Sequence, residues 1–165
     1  MRDTLLRLAE TPRLYIPKWS DGVLTELRRN LELRWNLPPK KIAHLTSQLS
    51  RHFPEACIEP DEKLILRMTN DPKDRHVLAA AVKGKAEVIV TFNLKDFPPA
   101  ALRKWKIRAE HPDAFLCRLY SADPQAVVSR LREQASAIGR TLPELLNTLG
   151  VGVPHFAALI GNKQE

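Results

Sequence analysis

Only two cysteines occur in this 165-residue chain, Cys57 and Cys117, far apart and in no C-x-x-C pair. A disulfide framework and a structural zinc site are therefore not indicated, and a reducing compartment is expected. No apolar run approaches about 18 residues and no signal-peptide pattern opens the chain, which points to a soluble, cytoplasmic protein without a membrane partner. The five histidines, His44, His52, His76, His111 and His155, form no i, i+4 pair and no H-E-x-x-H pattern. That argues against a zinc hydrolase and reads each as a surface or internally satisfied histidine. Glycine is scarce, with no glycine-rich phosphate loop, and the serines lack G-x-S-x-G, so a nucleophile elbow is excluded.

What the chain does have is positive charge. A formal net charge of +7 and a pI near 9.7 favour an anionic partner, nucleic acid rather than membrane, because no amphipathic stretch is unusually basic. A merely solvated basic surface is the plain alternative. The length, with 44% apolar against 27% charged residues, suits one domain with a sound core. Thirteen prolines mostly fall beside apparent helix starts, where they punctuate structure rather than signal disorder.

The most informative stretch is Thr69 to Pro98. Asp71 is a natural N-cap, Pro72 suits the first helical position, and Asp74 falls at the third, where a carboxylate faces the helix dipole. Val77, Leu78, Ala81 and Val82 recur at helical spacing until Gly84. The run Val88-Ile89-Val90 then reads as a parallel strand covered on both faces, and ligands of open α/β sheets collect at the strands' carboxyl ends. Thr91, Asn93 and Asp96 lie just past that end.

On either side the pattern is mostly helical. Leu5, Leu6 and Leu8 predict a short first helix, and Arg13 to Ile16 a first strand. Ser20 caps a helix with Val23, Leu24, Leu27 and Leu31 as its stripe, and Pro38-Pro39 opens another with Ile42, Leu45 and Leu49. Ala56 to Ile58 reads as a short strand, Leu64 to Leu66 as strand or helix, and Ile107 to Ala109 as the last strand. Helices follow from Pro98-Pro99, Asp113 or Pro112, Pro124, the capping box Thr141/Glu144 and Pro154. Residues from about Ser121 onward thus read as a helical extension, 121–165, of the domain formed by 1–120.

Phosphodiester hydrolysis with divalent ions needs hard oxygen ligands converging on one spot. A parallel sheet would bring Asp74 and Asp96 to its carboxyl-end face. Asp74 is equally a favourable helix-start residue, Asn93 either orients a phosphate or caps a turn, and Thr91 is either a phosphate contact or a turn residue. N-capping fully explains Asp71. Lys73, Arg75, Lys95 and Arg103 flank the proposed site and could neutralise phosphates. Trp19, Trp35 and Trp105 receive no site role.

The segment 69 to 98 resembles the PIN-domain nucleases, in particular the toxins of VapBC-type modules, whose signature runs N-D-P-x-D-R-x-V-L-A-A-A and then V-I-V-T-x-N-x-x-D-F. The match is nearly complete here and extends more weakly over most of the chain. The resemblance implies a three-layer α/β/α domain with a mainly parallel central sheet. It also implies an endoribonuclease cutting single-stranded RNA with Mg2+ or Mn2+, restrained by a small antitoxin and plausibly homodimeric. Glu26 matches the acidic residue of the family's E-L position, although alone it reads as an exposed helical glutamate. Glu26, Asp74 and Asp96 are then the metal ligands, with Asn93 assisting catalysis, and Thr91, Arg75 and Lys95 are substrate contacts. The alternative is a non-catalytic PIN-like module that binds an antitoxin or nucleic acid.

The family's first strand ends in L-D-x-N-V-L, and its aspartate is the first ligand. This chain starts after that point, and Asp3 does not match the motif. The fold is therefore expected to be N-terminally incomplete, with impaired activity. About four lost apolar side chains would amount to roughly 6 to 12 kcal/mol.

Overall fold

Caps and prolines written into the sequence start most of the helices. The computed structural model describes residues 1–162. Helix α1 (Arg2–Leu8) comes first. Helix α2 (Asp21–Leu33) starts at Ser20, whose Oγ accepts from the Val23 N–H at 3.3 Å. Helix α3 (Pro39–His52) carries proline at its first turn, and α4 (Glu62–Leu66) is capped by Asp61, which accepts from the Leu64 N–H at 2.8 Å. A 3₁₀ turn, Pro72–Asp74, leads into α5 (Arg75–Lys83), and β1 (Val88–Val90) follows. After α6 (Pro99–Leu102) and β2 (Arg108–Glu110) come α7 (Pro112–Ala122), α8 (Pro124–Ala137), α9 (Leu142–Gly150) and α10 (Pro154–Gly161). The Thr141/Glu144 capping box is complete: the Glu144 carboxylate accepts from the Thr141 N–H at 2.7 Å, and Thr141 Oγ1 from the Glu144 N–H at 3.4 Å.

Strands β1 and β2 pair in parallel, the Arg108 N–H donating to the Glu87 carbonyl and the Thr91 N–H to that of Glu110, each at 3.0 Å. A single parallel bridge joins Trp19 to Cys57. The chain is thus α/β, helix-rich, with a small parallel sheet and helices at its C-terminal end.

The chain forms two compact units. One comprises Met1–Ile16, Val90–Phe92 and Glu110–Glu165. Here α10 packs on α7 and α9, and α8 on α1, α7 and α9. Leu116, Val127, Leu131, Val153, Phe156 and Ile160 are wholly buried, worth about 1.5 to 3 kcal/mol for each large side chain. The other comprises Pro17–Ile89 and Asn93–Ala109, with α2 packed on α3 and α5 and α4 on α5. Its core is Met68, Leu78, Ala79, Ala81, Ile89, Phe97, Leu102 and Ile107. Five of these, Leu78, Ala79, Ala81, Ile89 and Phe97, lie within the 69 to 98 motif, so burial of its apolar positions fixes where its polar ends fall.

Arg13 to Ile16 is not a strand. The segment lies between Pro12 and Pro17 and is spent on side-chain contacts: the Tyr15 hydroxyl donates to the Leu5 carbonyl at 2.7 Å, and its ring meets Phe115 edge-on at 5.1 Å. Of Ala56 to Ile58 only the bridge at Cys57 forms, and the Asp61 cap resolves Leu64 to Leu66 as helix. The helix expected from Pro72 begins as a 3₁₀ turn and becomes α-helical at Arg75.

Candidate active site

Two loops meet at the carboxylates of the motif. The Asp71 N–H donates to the Asp96 carbonyl at 3.3 Å, tying the segment before α5 to the 3₁₀ turn Leu94–Asp96 that follows β1. Asp71 also caps the Pro72–Asp74 turn, its carboxylate accepting from the Lys73 N–H at 3.1 Å. These bonds place Asp74 beside Asp96, where each carboxyl shifts the titration of the other. The Lys73 ammonium lies 2.9 Å from Asp96 Oδ2 and 4.0 Å from Asp74 Oδ2. The Asn93 side-chain amide donates to Asp96 Oδ2.

The two carboxyls differ electrostatically. Burial, followed by the hydrogen bond and negative charge of Asp96, pushes Asp74 above the ordinary carboxylate range. The hydrogen bond from Lys73 holds Asp96 below that range, with help from Asp74 and from the nearby charge of Lys95. Lys73 is raised in return, chiefly by its bond to Asp96. The pair therefore titrates as a unit in which Asp96 keeps its charge and Asp74 is the easier to protonate.

Asp74, Asn93 and Asp96 are thus brought together. Glu26 is exposed on α2, yet its charge reaches Asp74 and its Oε1 lies 3.9 Å from His76 Nε2. Lys95 is exposed beside Asp96. Arg75 turns back to the loop, its Nε donating to the Asn70 carbonyl at 3.5 Å. Thr91 falls in the first unit, where its N–H prolongs the strand pairing.

Two residues of this region escaped the sequence reading. Asn70 is buried, and neither its Nδ2 nor its Oδ1 makes a hydrogen bond among the described residues. His76 has a buried Nε2 without a hydrogen bond among the described residues. Its setting depends on contact between two helices, which no local pattern encodes.

Residues 3–95, more than half of the chain, match the family model described as PIN domain. The chain belongs to the PIN-domain family. Residues 112–162 match a second model, described as VapC50 C-terminal domain. A protein of Mycobacterium tuberculosis (strain ATCC 25618 / H37Rv), described as "Putative ribonuclease VapC50", is 49% identical over 98 residues, which cover 58% of this chain and 58% of that protein. No solved structure matches the chain.

PIN-domain ribonucleases generally use divalent metal ions. Among the described residues no three His, Cys, Asp or Glu side chains gather closely enough to hold one. The donors that do converge are hard oxygens, and a small divalent cation is commonly bound by one or two carboxylates with water and substrate phosphate as its other ligands. Mutual repulsion between Asp74 and Asp96, balanced here by Lys73, is what such a cation relieves. The pair fits the group.

Proposed function

We propose that the chain is a Mg2+- or Mn2+-dependent endoribonuclease of the VapC toxin type, hydrolysing phosphodiester bonds in single-stranded RNA. The observation that carries this reading is the Asp74–Asp96 carboxyl pair held together under Lys73 in a PIN-domain chain. Asp74 and Asp96 would hold the cation, with Glu26 approaching from α2. When bound, the cation activates a water and neutralises charge on the leaving oxygen. Asn93 fixes the orientation of the Asp96 carboxylate through its amide. Lys73, Lys95 and Arg75 supply positive charge toward an RNA backbone.

The VapC50-like C-terminal match supports reading 121–165 as a helical extension of the 1–120 domain, and the relative's name supports a toxin–antitoxin setting. A small antitoxin protein is the partner that restrains the enzyme, and a homodimer is its assembly. No helix of the described residues is long and apolar enough to cross a membrane.

The test is cleavage of a single-stranded RNA by purified protein with Mn2+, alongside Asp74→Asn. Loss of cleavage in a variant that melts like the parent supports the reading. Retained cleavage sinks the assignment of Asp74. Absence of both Mn2+ binding and cleavage by the parent favours a non-catalytic binding module.

A further inference from the structure

Gly22, in the first turn of α2, has no left-handed backbone conformation to account for it; among the described glycines only Gly139 has one. Its helical setting disfavours glycine. What requires it is His76. A Cβ on residue 22 would lie 2.8 Å from His76 Cδ2 and 3.2 Å from Nε2, so only a bare backbone lets the ring approach this closely. One turn further along α2, on the same face as Gly22, Glu26 Oε1 stands 3.9 Å from that Nε2.

The separation is too long for a hydrogen bond but needs only about 1 Å of movement to become one. The nitrogen is buried and makes no hydrogen bond among the described residues, whereas the Glu26 side chain is 59% exposed. The imidazole lies against the Gly22 backbone and is mostly covered, 24% exposed, whereas the glutamate is largely in solvent. A covered donor and an exposed acceptor form a clamp in which the imidazole determines where the carboxylate comes to rest.

We propose that His76 is a positioning residue whose Nε2–H holds the Glu26 carboxylate toward the Asp74–Asp96 pair. Gly22 is the recess that admits its ring. This rests on the reading of Asp74, Asp96 and Glu26 as cation ligands, and extends it to two residues outside the motif's acidic set. With the proton on Nε2 the neutral ring suffices as donor. His76 acts only through Glu26, so its removal has no consequence once Glu26 cannot serve as a ligand.

The test is Mn2+ titration calorimetry on the full chain, with thermal melting of each variant as the folding control. Partners that orient a ligand typically change metal affinity about 10- to 100-fold. His76→Leu is expected to weaken binding by about tenfold, His76→Gln to restore most of it through its own amide, and His76→Leu to add nothing in a Glu26→Gln background. Gly22→Ala, which displaces the ring without altering its chemistry, is expected to match His76→Leu and serves in its place if that variant fails to fold. Parental affinity in His76→Leu or Gly22→Ala, or an equal weakening with and without Glu26, overturns the proposal. Failure of the parent itself to bind Mn2+ overturns the cation-site reading beneath it, a different result from parental binding that is indifferent to His76.

Discussion

Asp113, near the start of α7, caps the helix that begins more than 40 residues later: its Oδ1 accepts from the Phe156 N–H at 2.8 Å and its Oδ2 from the His155 N–H at 3.2 Å. Helix α10 has no side-chain cap from its own N-cap residue, Val153. Asp113 supplies that function from across the interface, and its Oδ2 also meets His155 Nδ1 at 2.6 Å. Asp113→Ala is expected to destabilise the chain by about 1 to 3 kcal/mol, the range spanned by lost caps and unpaired buried donors. Urea unfolding of the two proteins measures it, and equal midpoints would show that the cap contributes nothing.

The same carboxylate makes stability depend on acid. Burial works to raise Asp113, but the N–H bonds from Phe156 and His155 and the His155 ring outweigh it and leave the group below its ordinary range. A depressed folded-state pKa means that the stabilisation is complete above the unfolded value of about 3.9 and is lost as pH falls through the folded value. The difference in melting temperature between the parent and Asp113→Asn should therefore be largest near neutrality and shrink below about pH 4. A difference that grows with acid would reverse the sign argued here.

The Lys73 ammonium lies 2.9 Å from Asp96 Oδ2 and 4.0 Å from Asp74 Oδ2, so its charge would oppose a divalent cation held by the proposed pair. Lys73→Met should tighten Mn2+ binding, by roughly two- to fivefold given the solvent screening of an exposed lysine. Calorimetry at neutral pH reads this directly. Weaker binding in the variant would mean that Lys73 organises the site rather than competing for it.

Leu78 is fully buried in the core beneath the site. Leu78→Ala should cost about 2 to 5 kcal/mol through lost burial and the cavity left behind. A denaturant midpoint within error of the parent would contradict the packing described for α5.

The helix starts were legible because they are local. Ser20, Asp71 and the Thr141/Glu144 box each act within three residues of themselves, and proline at a first turn needs no partner. The Asp74–Asp96 pair was legible for a related reason: it terminates one helix–turn–strand unit whose apolar positions declare their own burial. Arg13 to Ile16 misled because a strand needs a neighbour, and Tyr15 found an aromatic ring and a carbonyl instead. His76 and the capping role of Asp113 stayed hidden because each depends on a helix remote in sequence.

The closeness of positions 74 and 96 along the chain bears on how the site comes into being. Forming the carboxyl pair closes only a short loop, whose entropy cost is small and whose formation is fast compared with long-range docking. Synthesis proceeds from the N-terminus, so Glu26, Lys73, Asp74, Asn93 and Asp96 have all been made before α7 through α10. The acidic centre can therefore assemble on a nascent chain in which α7 through α10 have not yet been made.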